Sequence, residues 1–217
     1  MNKEILLSKA NQHYLELMKD IYEVSNLCST KTYVWGGFTL DIFEERFLQE
    51  HEDLDCFVLD LMDVLNKLVL EYKKRGYKTE FKGDYNRLVI RKEEQHASFN
   101  PLNVDKDVAM WRHIGDQGTV YFPYSWLDDS PRSFYGVNVY TSGLYFEYAF
   151  KSIARLANPK WKVRKKDQDA LAYLTKKIAE QGLAPNELLK NIWCYNPFWM
   201  KQGYSPFSEP VLVCPKQ

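Results

Sequence analysis

The residues best suited to chemistry are two aspartates in the run His-Glu-Asp-Leu-Asp at 51–55. The run Leu-Asp-Cys-Phe-Val-Leu at 54–59 predicts a buried strand, so Asp53 and Asp55 point to the same face because side chains alternate along a strand. Two carboxylates on one face repel each other unless a cation lies between them. Carboxylate oxygens are the ligands that Mg²⁺ or Mn²⁺ prefers. The spacing therefore favours a divalent-cation site.

A pair of glycines, Gly36 and Gly37, lies between a β-rich run at 32–35 and helical spacing at 38–47. Glycines at a strand-to-helix junction let the backbone approach an anion closely, and the first amides of the helix are free to bind phosphate. On its own, a glycine pair is most often a plain turn. On their own, two aspartates separated by one residue most often mark a solvent-exposed strand end. When the glycine pair and the two aspartates occur within one β-α-β unit, the combination predicts a site for a metal-bound nucleotide.

The elements that position these residues follow from apolar periodicity. Helical spacing predicts helices at 5–26, 38–47, 61–75, 142–156, 165–181 and 186–193. Strand-like runs lie at 32–35, 54–59, 77–81, 88–91, 97–102, 119–126 and 134–140, with a hairpin turn at 82–84. The pattern predicts a sheet domain over 1–140 followed by a helical domain over 141–217.

Composition excludes several classes of protein. The 217 residues include 29 Lys plus Arg and 29 Asp plus Glu, so the net charge is zero, which argues against a bulk nucleic-acid binder but not against a small local basic pocket. Hydrophobic residues make up 45% of the chain, enough to bury a core. No apolar run is long enough to span a membrane, the N-terminal segment does not resemble a signal peptide, and the four cysteines contain no CxxC pair. We therefore expect a cytoplasmic protein with reduced thiols.

The residues at 36–41, Arg46 and the run at 51–55 resemble small nucleotidyltransferases of the polymerase-β superfamily, in the lincosamide and aminoglycoside-2″ branch that modifies antibiotics. That branch carries GGWA-D, then Gly-Arg, then H-D-D-I-D. The likeness covers roughly residues 30 to 175, and its weaker later elements are 100–102, Trp111, Gly115, Gly118, 121–123, 126–127, 136–139, Glu147, Lys151 and 164–169.

The resemblance implies an α+β fold with a mixed sheet, flanking helices and a C-terminal helical part. It implies transfer of a nucleoside monophosphate from a nucleoside triphosphate to an acceptor hydroxyl, with Mg²⁺ or Mn²⁺ held by Asp53 and Asp55 as catalytic residues. The backbone at Gly36 and Gly37 would cradle the triphosphate. The cations expected to neutralise phosphate charge are Arg46, Lys151, Lys166 and, as a further option, Arg164.

Three further residues near the motif have alternative roles on sequence alone. Arg46 either contacts phosphate or pairs with Asp53 or Glu45. His51 either binds metal or orders its loop through a hydrogen bond, and Asp41 is better suited to a cap or ion pair than to metal binding.

One position departs from the family pattern. The family has a third carboxylate on a later strand, where it binds metal or serves as general base, but Ser98 stands at the matching position in 97–101. Three explanations remain open: a shifted alignment in which Glu93 or Glu94 serves, a carboxylate such as Glu80 from a neighbouring strand, or lost or altered activity. His96 is an alternative base if its strand has no bulge.

The sequence predicts a metal-dependent nucleotidyltransferase whose acceptor is a small hydroxylated molecule such as an antibiotic. An acidic cleft for a polycationic aminoglycoside could come from Glu44, Glu45, Glu50, Glu52, Asp128 and Asp129. Two alternatives stay open: a toxin-like enzyme acting on protein or RNA, which a basic groove beside the aspartates would favour, and a nucleotide-binding protein with degraded catalysis. The oligomeric state is not predicted.

Overall fold

The computed structural model describes residues 8–112, 118–158 and 160–196. Among these residues, unit 1 comprises 8–102 and Leu127–Ser142, and unit 2 comprises the remainder, 103–126 and the residues from Gly143 onward. Each unit is compact in its own right. The domain boundary expected at residue 140 stays a prediction.

The described residues form both helices and strands. The helices are α1 Lys9–Leu27, α2 Gly37–Phe43, α3 Leu61–Lys74, α4 Gly143–Ala157, α5 Lys165–Glu180 and α6 Pro185–Leu188. The strands are β1 Thr32–Trp35, β2 Leu54–Leu59, β3 Lys78–Lys82, β4 Arg87–Lys92, β5 Gln95–Asp105, β6 Val108–Arg112, β7 Thr119–Pro123, β8 Arg132–Phe134, β9 Val137–Thr141 and β10 Trp193–Tyr195.

Unit 1 contains a mixed sheet, as the predicted fold class requires. Strand β2 lies between β1, to which it is antiparallel, and β5, to which it is parallel. Beyond β5 come the antiparallel strands β4 and β3, and β9 runs parallel to β1 on the other side. The two strands expected to carry the site, β1 and β2, are therefore direct neighbours in the middle of this sheet.

One face of this sheet packs into a hydrophobic core because every second residue of its strands is apolar. The core contains Cys56 of β2 and Phe99 of β5, together with Leu17 of α1 and Tyr72 of α3. Arg75, just after α3, donates hydrogen bonds to Asp20 and Glu23 of α1 and so joins the end of α3 to α1. Residues such as Asp55 and Ser98, at the alternate positions, face away from this core.

Unit 2 is built around aromatic side chains on an antiparallel strand set and one helix. Strand β7 pairs with both β6 and β10. Phe122 of β7 packs on Phe146 of α4 with ring centroids 4.6 Å apart, and Trp111 of β6 packs on Phe150 at 5.0 Å. The predicted C-terminal helices α4 and α5 are present, and the short strand β10 follows them.

Two broader expectations can be compared with the described residues. Cys28, Cys56 and Cys194 are free thiols, whereas Cys214 lies outside the described residues, as does Gly115. No helix in the described part of the chain is long and apolar enough to cross a membrane.

Candidate active site

The strand register brings the glycine pair to the aspartates. Because β1 and β2 are antiparallel, with Trp35 opposite Asp55, the end of β1 and the beginning of β2 meet at one edge of the sheet. Gly36 follows the first strand there, and Asp53 precedes the second. Asp53 is exposed and Asp55 is half-buried. The structure thus brings together the two motifs that the sequence singled out.

The glycines are required at this turn for two different reasons. Gly36 has φ +85° and ψ −142°, a conformation that side chains disfavour strongly. Gly37 has ordinary backbone angles, but a Cβ there would lie 2.9 Å from Cε1 of His51. The loop that leads to the aspartates therefore packs directly against the glycine turn.

A buried pair of side chains holds that loop. Nε2 of His51 lies 2.6 Å from Oδ2 of Asp41, and the His51 ring stacks on Phe38 with centroids 3.7 Å apart. Oδ1 of Asp41 also accepts a hydrogen bond from the Leu48 amide. Burial raises the pKa of Asp41, although the hydrogen bond with His51 opposes this shift. Of the roles left open for His51, the structure shows the hydrogen bond that orders the loop, and Asp41 is its hydrogen-bond partner.

Ser98 lies beside Asp55. The two residues are opposite each other in the parallel pair β2–β5, and Val89 of β4 flanks Ser98 on its other side. Both pairings run without a bulge, so Ser98 and Asp55 share one face of the sheet. Ser98 is 3% exposed. Ser98 is therefore a buried neighbour of Asp55 on the adjacent strand.

The alternative carboxylates are not next to Ser98. Glu93 and Glu94 form the turn between β4 and β5, beyond the end of the paired residues. Glu80 faces the same side but is two strands from Ser98, roughly 10 Å at ordinary strand spacing, and lies 3.8 Å from Arg91. No group of three or more metal-ligating side chains is found among the described residues.

His96 shares the face of Ser98, because the continuous register leaves no bulge between them. Burial lowers the pKa of His96, the nearby charge of Arg91 lowers it further, and Asp53 opposes both. The imidazole is half-buried and its neutral form is favoured. His96 is thus close enough to Asp53 for the charge of that carboxylate to act on the pKa of the imidazole.

The expected phosphate-binding cations lie in both units. Arg46 is exposed in unit 1, and within the described residues it forms no ion pair with Asp53 or Glu45. Lys151, Lys166 and Arg164 belong to unit 2, and Lys166 is exposed on the first turn of α5. Their predicted contact with nucleotide stays a prediction.

Two of these cations have carboxylate partners within unit 2. Nζ of Lys151 lies 3.8 Å from Glu147, which is fully buried. Arg164 donates from Nε and Nη2 to Asp167, which in turn accepts from the Arg164 amide and caps α5. Burial raises the pKa of Asp167, but the hydrogen bonds from Arg164 and the charge of Lys151 outweigh burial and hold it below its usual value.

The sequence reasoning missed a set of cations on β3 and β4. Their residues alternate along two antiparallel strands and share the face of Ser98. We call this set the basic face; its cations are Lys78, Lys82, Arg87 and Arg91. Alternation along the predicted strands at 77–81 and 88–91 would have found Lys78 and Arg91. Lys82 and Arg87 lie outside those predicted strands, so only the observed strand bounds complete the set.

Comparison with known proteins gives a likeness of fold. No family model and no curated protein matches the chain. Among solved structures, the antibiotic-resistance factor ANT(2″)-Ia is 13% identical, with 82% of this chain and 89% of that chain covered and a TM-score of 0.59. ANT(2″)-Ia in complex with adenylyl-2″-tobramycin is 14% identical, with 81% and 94% covered and a TM-score of 0.60.

A third solved structure extends this likeness. The lincosamide antibiotic adenylyltransferase LnuA, with lincomycin bound, is 16% identical, with 77% of this chain and 96% of that chain covered and a TM-score of 0.53. The chain therefore has the fold of the polymerase-β-like nucleotidyltransferases, with the mixed sheet and flanking helices predicted from its sequence. The resemblance to the antibiotic-modifying branch is confirmed at the level of the fold.

Proposed function

We propose that this protein binds a nucleoside triphosphate with a divalent cation and transfers the nucleoside monophosphate to an acceptor hydroxyl. One observation carries the proposal: the β1–β2 register places Asp53 and Asp55 at the Gly36–Gly37 turn, in a fold shared with solved nucleotidyltransferases. Fold alone does not determine function, so the argument rests on these residues.

The donor set at this edge fits one Mg²⁺ or Mn²⁺ ion. Asp53 and Asp55 supply hard oxygen ligands, and Mg²⁺ commonly uses one or two carboxylates together with water and substrate phosphates. A cation bound there would neutralise triphosphate charge and polarise the phosphoryl oxygens. A clamp of two metal ions would lack the third carboxylate, because Ser98 lies at that position.

The protein's own residues would bind and orient the nucleotide. The absence of side chains at Gly36 and Gly37 leaves room for phosphate beside the backbone, and the Asp41–His51 pair holds the aspartate loop against this turn. Arg46, on the loop after α2, is an exposed cation that could contact phosphate. Lys151 and Lys166 are proposed as further phosphate-binding cations on the resemblance alone.

The acceptor expected from the sequence is a small hydroxylated molecule. Support comes from the solved structures of similar fold, which include a complex with adenylyl-2″-tobramycin and one with lincomycin. Antibiotic hydroxyls are therefore the first acceptor class to test for this chain.

A second candidate function is nucleotide binding with weakened or lost transfer. Ser98 supports this alternative, since serine binds metal poorly and cannot take up a proton at neutral pH. Under this alternative the triphosphate still binds with Mg²⁺, but no acceptor gains a nucleoside monophosphate.

Two measurements separate these functions. The first is thermal denaturation with each of the four ribonucleoside triphosphates, with and without Mg²⁺; stabilisation by at least one of them, dependent on Mg²⁺, is expected, and none would overturn both functions. The second is mass spectrometry of hydroxylated acceptors, tobramycin and lincomycin included, after incubation with Mg²⁺ and the stabilising triphosphate. An acceptor that gains the mass of a nucleoside monophosphate establishes transfer, and binding without any adduct leaves the second function.

A further inference from the structure

The first two turns of α1 contact two segments of the candidate site. The ring of Tyr14 packs on Phe38, the residue that follows the glycine turn, with ring centroids 5.0 Å apart. Nδ2 of Asn11 donates a hydrogen bond of 3.5 Å to the carbonyl of Gln49. Gln49 belongs to the segment between α2 and β2, residues 44–53, which we call the aspartate loop. One end of α1 therefore lies against both α2 and the aspartate loop.

The charges of the aspartate loop act on this side of α1. Asn11 and Tyr14 are both buried, and because they are three residues apart they lie on one side of the helix. Burial, followed by the charges of Asp53 and Glu52, raises the pKa of Tyr14 to about 12. The side of α1 that carries Asn11 therefore faces the part of the loop nearest the candidate cation site.

A further contact joins the same end of α1 to the strand that carries Ser98. Nε2 of Gln95, the first residue of β5, donates a hydrogen bond of 2.7 Å to the carbonyl of His13. Oε1 of Gln95 accepts from the hydroxyl of Tyr77 at 3.2 Å, and Gln95 is buried. Both ends of this amide are satisfied. The beginning of β5 is thereby fixed to the helix end that also contacts the aspartate loop.

The Asn11 amide is poorly suited to stabilising the fold. The residue is fully buried, its hydrogen bond to Gln49 is long, and its Oδ1 has no hydrogen-bond partner among the described residues. A buried carbonyl oxygen without a partner costs free energy, whereas an apolar side chain of similar size carries no such cost. Packing alone therefore favours leucine at this position, and the amide calls for a role other than stability.

We propose that Asn11 is a positioning residue for the aspartate loop, and that Gln95 fixes β5 to the same end of α1. This inference rests on the proposed function. The Asn11 amide restricts the carbonyl of Gln49. The loop is thereby ordered, with Asp53 beside Asp55, before a ligand binds. A loop that is already ordered does not lose conformational entropy on binding, so the triphosphate and its cation bind more tightly.

The variant Asn11→Leu separates positioning from stability. With Mg²⁺ and the ribonucleoside triphosphate that stabilises the unmodified protein, we expect about fivefold weaker binding in isothermal titration calorimetry, the effect of losing one hydrogen bond between neutral groups. The free energy of unfolding in urea should be unchanged or higher, because the unpaired oxygen is removed. Without any ligand, hydrogen–deuterium exchange of the amides at 48–53 should be faster in the variant.

Two further variants complete the experiment. Ser25→Ala is the control at the other end of α1: the Ser25 hydroxyl donates to the carbonyl of Ile21 and lies 2.6 Å from Oγ1 of Thr32, so its loss should lower stability and leave triphosphate binding unchanged. Gln95→Met keeps the length of the side chain and removes both of its hydrogen bonds. It should weaken triphosphate binding and speed exchange at the beginning of β5, and it decides the proposal if Asn11→Leu fails to fold.

The outcomes distinguish this inference from the proposed function. Unchanged triphosphate affinity or unchanged exchange at 48–53 in Asn11→Leu would overturn the positioning role. An equal loss of affinity in Ser25→Ala would also overturn it, because general destabilisation would then explain the effect. If no triphosphate binds the unmodified protein, the proposed function fails, and exchange at 48–53 still decides whether Asn11 orders the loop.

Discussion

Two charged regions that the sequence singled out differ in how their charges are balanced. The first is the aspartate edge of unit 1, formed by Asp53 and Asp55. The second is the α4–α5 cluster of unit 2, formed by Glu147, Lys151, Arg164 and Asp167. In the α4–α5 cluster the carboxylates are buried and have cationic partners, whereas Asp53 is exposed and has no ion pair within the described residues.

This difference separates stabilising charges from charges suited to a ligand. The Arg164–Asp167 contacts complete the first turn of α5, so their loss should affect folding. Asp53 is exposed and forms no ion pair within the described residues, so its loss should affect ligand binding and leave stability intact. Charged residue types alone do not reveal this distinction, because the sequence predicts residues of both regions to serve one nucleotide site.

The largest effect is expected from Asp53→Asn combined with Asp55→Asn. If these residues hold the cation, nucleotidyl transfer should fall by more than about a hundredfold, since the cation's electrostatic contribution is several kcal/mol. Product mass spectrometry would measure the loss, and urea denaturation would report folding. Asp84→Asn with Asp107→Asn, two exposed aspartates elsewhere, is the charge-matched control. Transfer that survives in the test variant would show that the metal site lies elsewhere.

Tighter binding of triphosphate in the presence of Mg²⁺ is expected from Ser98→Asp. The new carboxylate would lie beside Asp55, so we expect about tenfold tighter Mg²⁺-dependent triphosphate binding, a change of about 1.4 kcal/mol. Without cation, the buried charge should lower the free energy of unfolding by about 1–3 kcal/mol. Ser98→Asn is the control of equal shape without charge. Equal Mg²⁺ dependence in the two variants would contradict the assignment of this position.

Gly36→Ala should destabilise the turn beside the aspartate edge. A side chain at φ +85° and ψ −142° is strained, and the expected loss is about 1–3 kcal/mol in urea denaturation. Gly83→Ala is the matched control, because Gly83 has no neighbour within 4 Å of an added Cβ and no positive φ. An Ala variant at Gly36 as stable as the control would show that the turn tolerates side chains.

The smallest effect is expected from Asp167→Asn in the α4–α5 cluster. Because Arg164 holds the pKa of Asp167 below its usual value, the carboxylate stabilises the fold above the unfolded-state pKa. We expect a loss of about 1 kcal/mol near pH 7 that disappears as pH falls through the lowered pKa of the folded state. Urea denaturation across pH 3 to 7 measures it. A loss that is independent of pH would contradict this electrostatic role, and Asp169→Asn is a control at an exposed position on the same helix.

Much of the fold follows from the sequence because the central strands are short apolar runs. The predicted bounds of β1 and β2 match the structure residue for residue. Helix α2 was predicted to extend to Phe47 but ends at Phe43, because Glu45 adopts φ +55° and Asp41 holds the Leu48 amide. Phe47 lies on the loop after α2 and is nevertheless buried. Its apolar side chain therefore fitted the helical spacing that predicted a longer helix.

Features that depend on distant pairing were harder to predict. Strand β10 is three residues long and pairs with β7, about seventy residues earlier, so no local periodicity marks it. The glycine pair and the two aspartates are close in sequence, so the sequence predicted that they lie together in one β-α-β unit. The basic face arises only when the β3–β4 register aligns Lys78 with Arg91 and Lys82 with Arg87.

The most direct test of the central claim is electron paramagnetic resonance of Mn²⁺ titrated into the protein with and without nucleoside triphosphate. We predict that one Mn²⁺ per chain binds when triphosphate is present and that this binding is lost in the Asp53→Asn, Asp55→Asn variant. Mn²⁺ bound with unchanged stoichiometry and affinity in that variant would contradict the claim that these two aspartates hold the nucleotide's cation.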